Sequence, residues 1–259
     1  MFSKASHTYC RCRLWEGEGA VKGEQGIRDD GQEGCRLFAI GDIHGCHGKL
    51  EALLAMLPFD RQRDTLIFLG DYINRGPDSR KVLESLVEIA GKCRHTVFLK
   101  GNHDHALLQY AETGDVEILR LLRVMGVEET AASYGLSIRQ LRDLSCLPAE
   151  HLNFMRHLAY GFIAGRYVFT HADISQAAID ETRRRNPGRS LITEFDPELL
   201  SSRRLGQEQQ LFEGCTVVFG HVPFAVPLVR KDRIGIDTGA VYGGCLTAVE
   251  LPALRFYHA

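Results

Sequence analysis

The sequence of 259 residues lacks the features of several broad protein classes. No stretch approaches the roughly 18 uninterrupted apolar residues that a membrane span needs. The N-terminal segment MFSKASHTYCRCRLWEGEG has no continuous hydrophobic run typical of a secretion signal. The formal net charge is only −2, without the basic excess that is usual for a general nucleic-acid binder. We therefore expect a cytoplasmic protein with neither a membrane nor a nucleic acid as partner.

The cysteines also lack the spacing of a metal site. Eight are present, but no two of them form a C-x-x-C pair, so a zinc site built from thiolates is not expected. Hydrophobic residues make up 44% of the chain and charged residues 25%, which is ordinary for a globular protein and excludes wholesale disorder. Eleven histidines remain as the main source of candidate metal ligands.

The first 35 residues differ in composition from the rest. Residues 1–35 are rich in Gly, Glu, Arg and Lys with little apolar periodicity, which predicts a flexible N-terminal extension. Short apolar runs and amphipathic stretches then alternate, which predicts one α/β domain over 36–259. Helices are predicted over 49–57 and 79–90, and a helical insert over 105–158.

Five apolar runs in this domain end in a polar cluster. The clusters are GDIHG, GDYINRG, GNHD, HAD and GH, and each follows a predicted strand. Ligand sites collect at this edge of open α/β sheets. The candidate residues are Asp42, His44, Asp71, Asn102, His103, His171 and His221. Oxygen and imidazole ligands without thiolates favour Mn²⁺, Fe²⁺ or Zn²⁺, and there are enough of them for two ions, with Asp71 as a natural bridge.

The order of these motifs, closed by IDTGAVYGG, resembles that of the calcineurin-type metallophosphoesterases. More narrowly, it resembles the phosphoprotein phosphatase family in its compact bacterial and lambda-phage form, from about Arg36 to Leu251. The resemblance implies a β-sandwich flanked by helices, in four αββα layers, with a dinuclear metal site between the strand ends.

The resemblance also implies a ligand set and a reaction. The first ion is expected on Asp42, His44 and Asp71, and the second on Asp71, Asn102, His171 and His221. Mn²⁺ is the expected metal, with Fe²⁺ and Zn²⁺ as alternatives. A hydroxide bridging the two ions would attack phosphorus in line, and His103 would protonate the leaving group as general acid.

Further residues are expected to contact the substrate or the ligands. Arg75 matches the phosphate-gripping arginine of the family, and Arg203 is the second candidate, with Arg204 as its competitor. Tyr242 is expected to contact the substrate near the metals. Asp173 and Asp237 adjoin candidate ligands and either orient them or stabilise turns.

One departure from the family concerns Asn74, which stands where the family usually has an aspartate. An amide can accept a hydrogen bond from the catalytic imidazole, but it supplies no counter-charge for the protonated ring. We therefore hypothesise an active but slower phosphatase with an activity optimum shifted toward acid.

These features predict a metal-dependent serine/threonine protein phosphatase, with phosphotyrosine as a further substrate. The partner would be a phosphoprotein or a small phosphate ester. One alternative is a symmetrical diadenosine tetraphosphate hydrolase, because HALL after GNHD and RGPDS in the second motif are similar to that branch. A second alternative is a weakly active regulatory module that binds phosphorylated partners, marked by Asn74.

Overall fold

A computed structural model describes residues 36–259 with the exception of Arg94, Pro187, Arg189, Glu194, Phe195 and Glu208. The extension predicted over 1–35 lies outside the described residues, so the boundary near residue 35 stays a prediction.

The first sheet has five strands. Its strands are β1 (Leu37–Ile40), β2 (Thr65–Phe68), β3 (Thr96–Phe98), β10 (Thr247–Leu251) and β11 (Arg255–His258). Their order is β11-β10-β1-β2-β3. β1 pairs in parallel with β2, and β2 with β3, whereas β10 is antiparallel to β1.

The second sheet has six strands. Its strands are β4 (Gly161–Ala164), β5 (Tyr167–Thr170), β6 (Ser190–Ile192), β7 (Thr216–Phe219), β8 (Leu228–Val229) and β9 (Arg233–Gly235). Their order is β6-β4-β5-β7-β9-β8, and β5, β7 and β9 are parallel. Each sheet therefore contains three adjacent parallel strands, as the short, nearly continuous apolar runs predicted.

Seven α-helices accompany the sheets within the described residues. They are α1 (His47–Met56), α2 (Ser79–Lys92), α3 (Asn102–Thr113), α4 (Val116–Val124), α5 (Val127–Ser133), α6 (Ala149–Arg156) and α7 (Gln176–Arg185). The helical insert predicted over 105–158 corresponds to α3 through α6 with short 3₁₀ turns between them. No helix in the described part of the chain is long and apolar enough to cross a membrane.

Alternating side chains of β1 show how the layers pack. Leu37 and Ala39 belong to the apolar core between the two sheets. Phe38 and Ile40 point to the opposite face of the first sheet. There they belong to a second apolar core, which they share with side chains of α1, α2 and the helical insert. The outer face of the second sheet packs on α7 through Ile179. The predicted four-layer αββα sandwich in one α/β domain is confirmed.

Candidate metal centre

The turns after the parallel strands carry strained backbone at the candidate site. Six non-glycine residues among those described have positive φ, and five of them belong to the predicted motifs. These five are His44 (44°), Asp71 (54°), Asn74 (70°), Arg75 (68°) and His221 (62°). Left-handed backbone at a side chain with a Cβ costs about 1–3 kcal/mol and clusters at functional sites. The turns therefore fix where these side chains point, at the expense of local stability.

Two glycines let the motifs approach each other more closely than a side chain would permit. A Cβ on Gly101 would lie 2.0 Å from Asp71 Oδ1, and one on Gly220 would lie 2.1 Å from Asp42 Oδ1. The loop after β3 thus closes on the loop after β2, and the loop after β7 closes on the loop after β1. The strand ends of both sheets meet at one edge.

One group of candidate ligands lies on the first sheet. Donor atoms of His44, Asp71 and His103 lie within 4.8 Å of one another. His44 Nε2 is 3.3 Å from Asp71 Oδ2, and His103 Nε2 is 3.8 Å from the same oxygen. His44 Nδ1 donates to the carbonyl of Ile73 at 2.9 Å, so its Nε2 presents a lone pair. Arg75 Nη1 donates to that nitrogen at 2.6 Å.

A second group joins the two sheets. Asp71 again takes part, now with His171 and His221. His171 Nδ1 donates to the carbonyl of Leu69 at 3.0 Å, which leaves the Nε2 lone pair facing Asn102 Oδ1 at 3.0 Å and Asp71 Oδ1 at 3.5 Å. The His171 nitrogen and the Asn102 oxygen are both acceptors with no proton between them, so a cation is the natural partner for both.

The remaining polar atoms of this group fit the same interpretation. Asn102 Oδ1 also lies 3.0 Å from His221 Nδ1, so one amide oxygen faces both imidazoles. His221 Nε2 is buried and has no hydrogen-bond partner among the described residues. A buried nitrogen of this kind signals a group that the protein atoms alone do not satisfy.

Burial controls the charge of these ligands. It lowers the pKa of His44, His171 and His221 to about 3 each, with the positive charge of Arg75 as a further cause for His44. It raises the pKa of Asp71 to about 7. Neutral imidazoles around a carboxylate that resists ionisation suit divalent cations, because a cation would supply the charge that the carboxylate lacks. Asp71 belongs to both groups, as a bridging ligand must.

Asp42 lies next to the two groups of converging ligands. Both of its oxygens accept the backbone N–H of His221 at 3.1 Å, and it belongs to neither group of converging donors. Burial, Asp237 and Asp71 raise the pKa of Asp42 well above its usual range. Asp42 is therefore beside the centre, and its role as a ligand stays a prediction.

His103 contacts Asn74 in a sense opposite to the one expected. Asn74 Nδ2, rather than Oδ1, faces His103 Nδ1 at 3.0 Å, while Oδ1 accepts the hydroxyl of Thr130 at 2.7 Å. The amide therefore donates to the ring. Burial, followed by electrostatic interactions with His44 and Arg75, lowers the pKa of His103 below its ordinary value.

Asp104 is a positioning residue that the motifs alone did not single out. Its carboxylate is fully buried and accepts three backbone N–H groups, from Asp71 at 2.9 Å, Gly101 at 3.0 Å and Tyr72 at 3.2 Å. It thus ties the loop after β2 to the start of α3. Burial, with the charge of Asp71, raises its pKa to about 8. The signal was the acidic residue that ends GNHD.

The two candidate arginines, Arg203 and Arg204, have different surroundings. Arg204 is paired with Asp173 at 2.6 Å, and Asp173 also accepts the hydroxyl of Ser202 at 2.7 Å. Asp173 therefore anchors this loop instead of orienting His171. Arg203 is exposed and lies close enough for its charge to act on His221. Arg204 is thus committed to Asp173, and the role of Arg203 as a phosphate-binding group stays a prediction.

Asp237 and Tyr242 lie in the turn before β10. Asp237 is buried and accepts the backbone N–H of Gly239 at 2.9 Å, so it stabilises this turn. The ring of Tyr242 is 63% exposed, and the guanidinium of Arg75 lies 5.3 Å from its centroid. Lys49 reaches across from α1 and donates to the carbonyls of Ala240 and Gly244, which holds the turn in place.

A comparison with protein families agrees with this site. The calcineurin-like phosphoesterase family model matches residues 35–243. The chain belongs to that family. The match spans all five polar clusters that follow the strands, so the resemblance predicted from the sequence is confirmed at the level of the family.

Relatives of this phosphoesterase include proteins named bis(5'-nucleosyl)-tetraphosphatases. One is the asymmetrical bis(5'-nucleosyl)-tetraphosphatase PrpE of Halalkalibacterium halodurans, 30% identical over 84% of this chain and 90% of the relative. Another is the symmetrical bis(5'-nucleosyl)-tetraphosphatase of Methylococcus capsulatus, 30% identical over 83% of this chain and 91% of the relative.

Solved structures agree with the fold. A cold-active protein-tyrosine phosphatase of a psychrophilic Shewanella species has a TM-score of 0.59 at 16% identity, covering 86% of this chain and 77% of that one. A protein serine/threonine phosphatase of Saccharomyces cerevisiae has a TM-score of 0.55 at 12% identity, covering 87% and 79%. At these identities the likeness concerns the fold alone.

Proposed function

We propose that this phosphoesterase hydrolyses bis(5'-nucleosyl) tetraphosphates in a metal-dependent reaction. The observation that carries the proposal is a site of converging oxygen and imidazole acceptors in a chain similar to two named tetraphosphatases over about nine-tenths of their lengths. These relatives favour the alternative predicted from HALL and RGPDS over the serine/threonine phosphatase. The protein phosphatases found by structure share the fold at low identity and add no support for that substrate.

The residues present would hold two divalent cations, one near His44 and Asp71 and one near Asp71, Asn102, His171 and His221. Bound divalent cations in such sites lower the pKa of water and neutralise phosphate oxygens. The protein supplies the fixed ligand positions and the buried, neutral imidazoles.

Arg75 and Tyr242 lie where the polyphosphate of the substrate would bind. The Arg75 guanidinium lies between His44 and the Tyr242 ring, so it can turn from the imidazole to a phosphate oxygen with small movement. Arg203, whose charge acts on His221, would supply a second guanidinium for a substrate with several negative charges. The exposed ring of Tyr242 is available for contact with the substrate beyond the phosphates.

The test is a side-by-side assay of the Mn²⁺-reconstituted chain with diadenosine tetraphosphate and a phosphoseryl peptide, and with Asp71→Asn as the inactive control. We expect the dinucleotide to be the better substrate by kcat/KM. Two molecules of ADP as product would indicate symmetrical cleavage, and ATP with AMP would indicate asymmetrical cleavage. A clear preference for the phosphopeptide would refute the proposal. Binding of either compound without turnover would indicate the regulatory module instead.

A further inference from the structure

A buried aspartate binds the chain on both sides of Arg203. Asp173 is 1% exposed, and its carboxylate accepts hydrogen bonds from the two residues that flank Arg203. Ser202 Oγ donates to Oδ2 at 2.7 Å, and Arg204 donates from Nε to Oδ2 at 2.9 Å and from Nη2 to Oδ1 at 2.6 Å. Two parallel bonds between a guanidinium and a carboxylate fix orientation as well as distance. Residues 202 and 204 are therefore both held to the loop that follows β5.

A buried arginine holds the next part of the same loop, residues 202–212, which leads to β7. The Arg233 guanidinium is fully buried. It donates to three backbone carbonyls of the 202–212 loop, those of Leu205, Gln207 and Gln209. Its neighbour Asp232 accepts the backbone N–H groups of residues 211 and 212. Because buried charges are costly without such partners, these contacts favour one position of the loop against the second sheet.

Arg203 itself has no such partner. Its side chain is exposed and makes no hydrogen bond or ion pair with any described residue. The 202–212 loop packs on the residue after the candidate ligand His221, because a Cβ on Gly206 would lie 3.3 Å from Val222 Cγ1. Arg203 is accordingly close enough for its charge to act on His221. The loop thus presents an unpaired guanidinium at the edge of the candidate metal centre.

We propose that Asp173 and Arg204 are positioning residues, which hold the Arg203 guanidinium beside His221 so that it binds a phosphate oxygen of the substrate. This inference rests on the function proposed above, whose tetraphosphate substrates carry several negative charges. Asp173 acts only through the loop, since it is buried and both of its oxygens already accept hydrogen bonds. Arg204 acts in the same way, since its guanidinium is bound to Asp173 and to the carbonyl of Ile174.

Conformational entropy gives the physical reason for such an arrangement. An exposed arginine loses rotamer freedom when it binds an anion, and a loop that has to become ordered loses backbone freedom as well. With residues 202 and 204 fixed before the substrate arrives, only the Arg203 side chain remains to be ordered. Without the pair between Asp173 and Arg204, the cost of ordering the loop would return and the affinity for phosphate would fall.

A double-mutant cycle measures this coupling. The full-length chain is loaded with Mn²⁺, and its affinity for inorganic phosphate is determined by calorimetry. Arg203→Gln should weaken phosphate binding about tenfold to hundredfold, the range of one charge-assisted hydrogen bond. Arg204→Gln should weaken it as well, but only while Arg203 is present. In the double variant the affinity should therefore equal that of Arg203→Gln alone.

The stability of the same proteins separates positioning from a merely structural role. Urea denaturation should show that the stability lost in Arg204→Gln is lost again in the double variant, because the buried Asp173 carboxylate is left without its partner in both. Only the effect on phosphate affinity should disappear when Arg203 is absent. A structural role alone would make both effects independent of Arg203.

Two further variants guard against misfolding. Ser202→Ala removes one of the flanking contacts and keeps the pair between Asp173 and Arg204, so it should fold and give a smaller loss of affinity that again depends on Arg203. Arg183→Gln is the matched control. It removes a partly buried arginine of α7 that donates to the carbonyl of Gly165, at the other end of β5, and should leave phosphate affinity unchanged.

The possible results are distinct. Losses of phosphate affinity that add up in the double variant would overturn the proposal, and so would wild-type affinity in Arg203→Gln or in Arg204→Gln. The same cycle measured as kcat/KM on diadenosine tetraphosphate should show the same lack of additivity. Because phosphate binding needs no turnover, a coupled cycle in a chain that fails to cleave dinucleotides would overturn only the function proposed above.

Discussion

Gly101 offers a sharp test of how closely the loops after β2 and β3 must approach each other at the candidate metal centre. Its backbone has φ −88° and ψ 169°, which alanine adopts without strain. A Cβ at this position would nevertheless lie 2.0 Å from Asp71 Oδ1 and 2.3 Å from the Asp71 nitrogen. Gly101→Ala therefore perturbs the distance between the loops and leaves the backbone conformation of residue 101 acceptable.

The size of the effect follows from these distances. The Asp71 nitrogen is a backbone atom, so restoring ordinary contact would require the loops to separate by about 1 Å. Overpacking of this kind lowers the free energy of unfolding by about 1–3 kcal/mol. A displacement of about 1 Å at a catalytic site reduces the rate by about 10²-fold. We expect both losses in Gly101→Ala, together with weaker metal binding.

A matched control is available in α2. Gly91 has no atom within 4 Å of the Cβ that it would gain. Gly91→Ala should therefore raise the free energy of unfolding by about 0.5–1 kcal/mol through helix propensity and leave metal affinity alone. Urea denaturation and calorimetric Mn²⁺ titration of both variants provide the comparison. If Gly101→Ala behaved like Gly91→Ala, close approach of the loops would not be what assembles the site.

Three further outcomes are expected. Asp104→Asn should lower the free energy of unfolding by about 1–3 kcal/mol. The new side-chain nitrogen cannot accept a hydrogen bond, so a buried backbone N–H that donates to Asp104 in the wild type would lose its acceptor. Urea denaturation measures the change, and wild-type stability would contradict the prediction. In chelator, the folded protein should lose stability as the pH rises from about 6.5 to 8, because the raised pKa values of Asp71 and Asp104, about 7 and about 8, keep protons on the folded state that the unfolded state has released. Below about pH 6.5 the buried histidines, with pKa values lowered to about 3, should oppose this slope and flatten it, because the unfolded state gains protons that the folded state refuses, while the raised pKa values of Asp42 and Asp237 act in the same direction as those of Asp71 and Asp104. Thermal melts that rise steadily from about pH 6.5 to pH 8 would speak against these shifts. Asp71→Asn should abolish turnover and weaken metal binding in calorimetry, and near-normal activity with manganese would argue against a shared bridging ligand.

The convergence of the motifs could be predicted from the sequence because it depends on strand direction. Polar residues after parallel strands necessarily meet at one edge, and His171 and Asn102 do so across two sheets. Strands β6, β8 and β11 could not be predicted in the same way. They are two to four residues long and lie toward the edges of the sheets, where hydrophobic patterning is weak.

Details that depend on a single hydrogen bond were beyond the sequence. The Asn74 amide is hydrogen-bonded to a threonine 56 residues away, and a motif carries no information about that contact. The same holds for Arg204, whose partner Asp173 is 31 residues earlier in the chain. Residue type indicated which groups could do chemistry, but tertiary contacts decided which of them are already committed to another partner.

The two sheets contribute different halves of the candidate centre. Asp71 and Asn102 follow strands of the first sheet, whereas His171 and His221 follow strands of the second. A cation bound there would act as a removable cross-link between distant parts of the chain. Such binding stabilises the folded state by about 2.7 kcal/mol when the free metal concentration is a hundred times its Kd. The metal supply of the cell would then govern how long the folded protein survives proteolysis, in addition to how fast it works.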